Sequence, residues 1–248
     1  MKNIKNLFTV ALLFALIAGF SSCSTDNDNY WVAIGTYRAL ENNHFYIEFE
    51  EDNQIQKMYP GEVSNLNLRE IEDGQSVYVY YDLLKEDEPG YDLNAKIYAL
   101  VNILTKDIIP LTEATEDSIG NAAINIVDSK ISLNDEFLHI SFQYRYDPYS
   151  SIRHMLNMVI PEEGVDQTTD GEFINLEFRH NDNGDYGNNI AFGYVTFRLR
   201  EIADKMKNKK GIRIKYKSIN EGSKTVEILF DKVSSEKILR DVRTPNVY

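Results

Sequence analysis

The chain has 248 residues, and its 26 lysines and arginines are outnumbered by 39 aspartates and glutamates, giving a formal charge of −13. That balance excludes a phosphate-backbone reader, because nucleic-acid binding needs a basic face and counterion release. A single cysteine, Cys23, excludes an internal disulfide framework, so the fold is held by an apolar core.

In chain order, the first element is a targeting segment. Lys2 and Lys5 precede an apolar run over residues 7–20, broken only by Thr9 and Gly19, with no acid before Asp26. The run is shorter than the roughly 20 apolar residues needed to span a bilayer, so it reads as a cleaved secretory signal over residues 1–22. Ser21 and Ser22 lead directly into Cys23, an arrangement that resembles a bacterial lipobox, in which the cysteine sulfur is lipidated and becomes the mature N-terminus. Residues 23–30 then read as an acidic flexible tether. It is similar to the signal that carries Bacteroidota lipoproteins to the outer face of the outer membrane. The expectation is therefore a lipid anchor at Cys23 on the outer membrane with display at the cell surface, a periplasm-facing orientation being the alternative. Losing residues 1–22 removes Lys2 and Lys5 and no acid, which takes the charge from −13 to −15.

From Trp31 onward, short alternating runs rich in Val, Ile, Tyr, Phe and Thr, separated by Asn, Asp, Gly and Pro, read as strands. WVAIGTYR (31–38), FYIEFE (45–50), IQKM (55–58), SVYVYYDL (76–83) and KIYALVNIL (96–104) predict five, with Ile97, Ala99, Val101 and Ile103 sharing the core face of the last. Alternation fades over TEATEDSIGN (112–121), which places a boundary between residues 110 and 121. The expected domains are a small barrel over 31–115 and a β-sandwich over 120–248, an all-β fold. In FLHISFQYRY (137–146), Leu138, Ile140, Phe142, Tyr144 and Tyr146 lie on one face and His139, Ser141, Gln143 and Arg145 on the other, as in a half-buried antiparallel strand. Five further strand runs follow, and REIADKMKNKK (200–210) predicts one short helix stopped by Gly211.

The segments NDEFLHISFQYRYDP, RHMLNMVIPEE, DGEFINLEFRHNDNGD and GYVTFRLREI, in that order over residues 134–202, resemble the NigD-like lipoproteins of Bacteroidota. The resemblance implies an N-terminal OB-type barrel and a C-terminal β-sandwich. It also implies a role of bacteriocin-immunity type, since the family takes its name from a bacteriocin operon.

The densest polar cluster, residues 179–185, contains Arg179, His180, Asp182 and Asp185 and reads as a surface polar loop. Its oxygens suit Ca²⁺, but EF-hand spacing is absent and Asn183-Gly184 favours a hairpin turn. His44, His139, His154 and His180 lack the spacing of a metal site, and no Gly-x-Ser-x-Gly elbow or phosphate loop occurs. The expectation is a protein that is not an enzyme and needs no cofactor or metal. Its partner is a protein or peptide such as a bacteriocin, or in the alternative reading a surface glycan stacked on tyrosines from the groups Tyr78, Tyr80, Tyr81 and Tyr144, Tyr146, Tyr149.

Overall fold

The computed structural model describes residues 30–64, 66, 68, 71–161 and 171–230. Cys23, the apolar run and the tether up to residue 29 lie outside the described residues. The first five strands are β1 (Trp31–Ala39), β2 (Phe45–Glu51), β3 (Gln54–Val63), β4 (Gln75–Leu83) and β5 (Leu93–Asn102). They close into a barrel in the order β1-β2-β3-β5-β4, with β3 and β5 parallel and the other pairs antiparallel, the OB-type arrangement. The β2–β3 connection is a two-residue hairpin in which Asp52 and Asn53 both take positive φ, of 49° and 61°, as a type I′ turn demands. Tyr37, Phe45, Ile47, Met58, Val77, Val79, Ala95 and Ile97 fill the interior.

One face assignment changes. Tyr81 pairs with Ile97 but Tyr80 pairs with Ala99, so Tyr98 is an extra residue that shifts the register by one. Beyond it Leu100 packs toward the barrel core while Val101 is 48% exposed. Strict alternation from Ile97 to Val101 could not anticipate that, because a bulge reverses the parity of every later residue.

The boundary also moves. Strands β6 (Leu104–Asp107) and β7 (Ile109–Pro110) belong to the sandwich, where β6 pairs in parallel with β12 (Asn189–Arg198) and β7 with β10 (Met155–Ile160). The barrel therefore ends at Asn102, not at residue 115. The expected linker is a cover for β10 and β11 (Phe173–Asn181) instead. Helix α1 (Glu116–Ile119) buries Ile119, the Ala122 amide donates to the His180 carbonyl at 2.7 Å, and the Asn181 amide donates to the Ser118 carbonyl at 2.9 Å.

The remaining strands are β8 (Ile124–Ile131), β9 (Phe137–Tyr146), β13 (Gly211–Ser218) and β14 (Gly222–Leu229). One sheet runs β14-β13-β11-β10-β7 and the other β6-β12-β9-β8, with Ile140, Phe142, Phe178, Phe197, Ile212 and Ile214 among the residues between them. The expected helix after β12 shortens to a 3₁₀ turn at Arg200–Ile202 followed by α2 (Ala203–Met206), since Ile202 and Met206 are the residues it buries.

From Trp31 on, the described residues pack as one unit. The barrel covers the outer face of the β9–β12 sheet. Lys130 pairs with Glu50, Arg38 with Glu48 and Glu136, and the Thr105 hydroxyl accepts from the Ser76 amide at 3.1 Å. Burial there raises the Tyr194 hydroxyl above its ordinary range, with Tyr78 of the barrel adding to it. This cover corrects the half-buried expectation for β9: His139 and Gln143, on its supposedly wet face, are buried too, and His139 Nδ1 meets the Thr196 hydroxyl at 3.0 Å.

Candidate binding site

The cluster at residues 179–185 divides between the two faces of β11. Ile174, Leu176, Phe178 and His180 alternate into the core, whereas Arg179 points outward, bonding Glu177 at 2.7 Å with Glu116 at 3.8 Å. Asp182 accepts the Gly184 amide at 3.0 Å inside its own turn. The expectation of a surface loop is thus overturned for three of its four residues: Arg179, His180 and Asp185 are buried, because the strand carries the first two into the sheet and the turn folds Asp185 back under the neighbouring loop.

His180 lies opposite Leu156 on β10, and His154 sits two residues before Leu156, on the same inward face. The two imidazoles stack at 5.0 Å and 26°, with His154 Nδ1 to His180 Nε2 at 2.9 Å. At one end of this pair His180 Nδ1 meets the Ala123 carbonyl at 3.1 Å; at the other, His154 Nε2 meets Asp185 Oδ2 at 3.1 Å. Tyr144, inward-facing on β9 of the opposite sheet, caps both rings edge-on at 4.9 and 5.7 Å. Asp185 in turn accepts the Asp147 amide at 2.9 Å and the Gly187 amide at 2.9 Å. The chain of contacts therefore ties the loop at residues 147–154 to the loop at residues 182–188, and the Asn183 amide adds a bond to the Arg153 carbonyl.

These loops hold the most exposed aromatic side chains of the described residues: Tyr149 is 96% and Tyr186 88% exposed. Exposed aromatics on backbone already fixed in place suit recognition, since little ordering entropy remains to be lost on contact. Of the tyrosines singled out in sequence, Tyr149 is displayed, Tyr144 is the lid of the histidine pair, and Tyr78 and Tyr81 are part of the barrel wall. Tyr186 was not singled out in the sequence, and His154 was weighed there only as a metal ligand. The available signal for the pair was that His180 continues the apolar alternation of β11 and His154 continues that of Leu156 and Met158.

Burial, first of all, holds His180 below the ordinary histidine value, and the neighbouring His154 adds to this. As pH falls below about 6.5 the unfolded chain takes up this proton and the folded one resists it, so the stability from a neutral His180 is complete above that value and is lost below it. The Asp147 amide above all, with the Gly187 amide and His154, holds the Asp185 carboxyl below its usual range, a contribution present above about pH 4 and lost as pH falls further. Urea unfolding midpoints should therefore fall in two stages on acidification, and His180→Gln, which cannot titrate, should remove the first.

A concavity of about 600 Å³ lies where barrel and sandwich meet, lined by Arg38, Asp73, Phe137, Arg198, Arg200 and Met206 among others. Its guanidinium groups are taken up internally: Arg200 bonds Asp107 at 2.6 Å, Arg198 lies 3.7 Å from the same carboxylate, and Arg38 holds Glu48 at 2.7 Å and Glu136. Of these pairs, Arg38–Glu136 crosses from the barrel to the sandwich.

Comparison with known proteins agrees with the architecture. The model of the NigD-like C-terminal beta sandwich domain matches residues 107–230, half of the chain. A solved protein of unknown function from Bacteroides vulgatus is 25% identical with a TM-score of 0.63, over 82% of this chain and 92% of its own. A NigD-like immunity protein from Bacteroides caccae is similar in fold at 18% identity and a TM-score of 0.54, over 82% of this chain and 93% of its own. No curated protein matches the sequence. With the closed OB-type barrel, the sandwich and the domain match all in place, the chain belongs to the NigD-like family.

Proposed function

We propose that this protein is a lipid-anchored, non-catalytic binding protein of the outer membrane, displayed at the cell surface, whose recognition end is the pair of loops carrying Tyr149 and Tyr186. The observation that carries the reading is the display of these two side chains on loops fixed to each other through Asp185 and His154. A role of bacteriocin-immunity type is supported by family membership and by a structural neighbour described as a NigD-like immunity protein. The anchor is supported by the position of Cys23 between the apolar run and the acidic segment. Two or three acyl chains suffice for stable attachment, whereas one is marginal.

Cys23→Ala is expected to move the protein from the membrane fraction to the soluble or secreted one; a variant that stays with membranes after alkaline washing places the anchor elsewhere. For the immunity role, deletion of the gene should sensitise the host to a proteinaceous toxin, and Tyr149→Ala with Tyr186→Ala should fail to restore resistance. The asparagines at 188 and 189 beside Tyr186 favour a second reading, a surface glycan held by ring stacking and amide hydrogen bonds. Saturable binding on a glycan panel, lost in the same double variant while toxin sensitivity is unchanged, would select it.

A further inference from the structure

Each contact along the histidine pair needs one donor. The Ala123 carbonyl only accepts, so His180 Nδ1 carries a proton. Asp185 already accepts backbone amides from Asp147 and Gly187 and is held ionised by them, so His154 Nε2 must also donate. The remaining contact, between His154 Nδ1 and His180 Nε2 at 2.9 Å, needs one proton of its own. The four nitrogens thus share three protons, one more than two neutral imidazoles carry. Of the two rings His154 is the one that faces the Asp185 carboxylate, while burial and the neighbouring His154 hold His180 below the ordinary histidine value.

We infer that Asp185, His154, His180 and the Ala123 carbonyl form a proton-held clamp that keeps the two tyrosine loops together while the pair holds one extra proton and releases them when it holds none or two. With no extra proton, two lone pairs face each other across the rings, or one faces the Asp185 carboxylate. With a second, both imidazoles are cationic at contact distance in a buried site. The titration belongs to the pair and not to either ring. The groups facing it do not supply the missing proton: Tyr144 on β9 is a neutral phenol whose hydroxyl is raised, first by burial, with Tyr146 and Asp185 adding to it, and the carboxylate of Asp182 in the β11 turn favours positive charge. The Asp147 carboxylate in the facing loop accepts the Tyr149 amide at 2.9 Å, which links the clamp to the displayed tyrosine.

The clamp acts on the surface proposed above and rests on that reading for its role, but its test needs no partner, so clamp and binding role fail separately. In the full chain labelled with ¹⁵N at its four histidines, nuclear magnetic resonance should find both His154 nitrogens protonated and His180 neutral with its proton on Nδ1. Protection of the amides of residues 147–154 and 182–188, taken relative to the intrinsic exchange rate at each pH, should be highest in that state and fall about tenfold or more on either side of it between about pH 5 and pH 8. Asp185→Asn should abolish the doubly protonated His154 and flatten the profile at the low level, whereas Tyr149→Ala should leave both unchanged. A singly protonated His154 throughout the range, or loop protection that does not follow its titration, overturns the clamp; the ¹⁵N signature of the unaltered chain decides the matter even if Asp185→Asn does not fold.

Discussion

Phe178→Ala is expected to cost about 3 to 5 kcal/mol of stability, a large part of the roughly 5 to 15 kcal/mol that a domain usually has in hand. Phe178 is 1% exposed on β11, with edge-on ring contacts to Phe142 of β9 at 5.9 Å and Phe197 of β12 at 6.0 Å. One side chain therefore joins both sheets, and truncation removes its own burial while leaving a cavity between two rings that strand hydrogen bonds prevent from closing in. Urea unfolding followed by far-ultraviolet circular dichroism measures the loss. Phe192→Ala provides the contrast: that ring is 55% exposed on β12, and its removal should change stability by less than about 0.5 kcal/mol. Equal midpoints for the two variants would show that the sandwich core does not pack as described.

Gly187→Ala should be the most disruptive small substitution in the loops that carry Tyr149 and Tyr186. A β-carbon there would lie 2.0 Å from both the Asp147 amide nitrogen and the Tyr146 carbonyl carbon. Both are backbone atoms, so no rotamer change relieves the contact and the two loops must separate by more than an ångström. Separation breaks the amide bonds that Asp185 accepts from Asp147 and Gly187 and with them the orientation of His154. The expected cost is about 3 kcal/mol or more, concentrated in the loops. Amide exchange in residues 147–154 and 182–188 should rise while that of β13 and β14 stays slow. Gly184→Ala, at φ 85° with no atom near the added carbon, strains its own turn without forcing the loops apart, and should leave exchange in residues 147–154 unaltered.

The all-β class, the order of most strands and the barrel-then-sandwich sequence were legible from residue order, because alternation with period two records which side of a strand is apolar. The same signal placed His180 inward, had its alternation with Phe178 been followed one step further. Alternation does not record what lies across from a strand. The pairing of β6 with β12 and of β7 with β10 joins residues far apart in the chain, so the barrel's end at Asn102 was hidden until those partners were in place. The bulge at Tyr98, the barrel's cover over His139 and Gln143, and the meeting of His154 with His180 across β10 and β11 share that cause: each depends on a neighbour brought up by the fold.

What rests on the sequence by itself is the expectation of a lipid anchor at Cys23, since an apolar run, a cysteine and an acidic stretch in that order are read from residue order alone. What only the tertiary structure decided is which polar residues act together. Arg179 and His180 are adjacent in the chain yet lie on opposite sides of a sheet, while His154, His180 and Asp185 are separated in sequence and share one line of hydrogen bonds. Strand geometry sends neighbours apart and cross-strand register brings distant residues within bonding distance, so the charge and hydrogen-bond chemistry of the histidine pair and its two loops exists only once both are set.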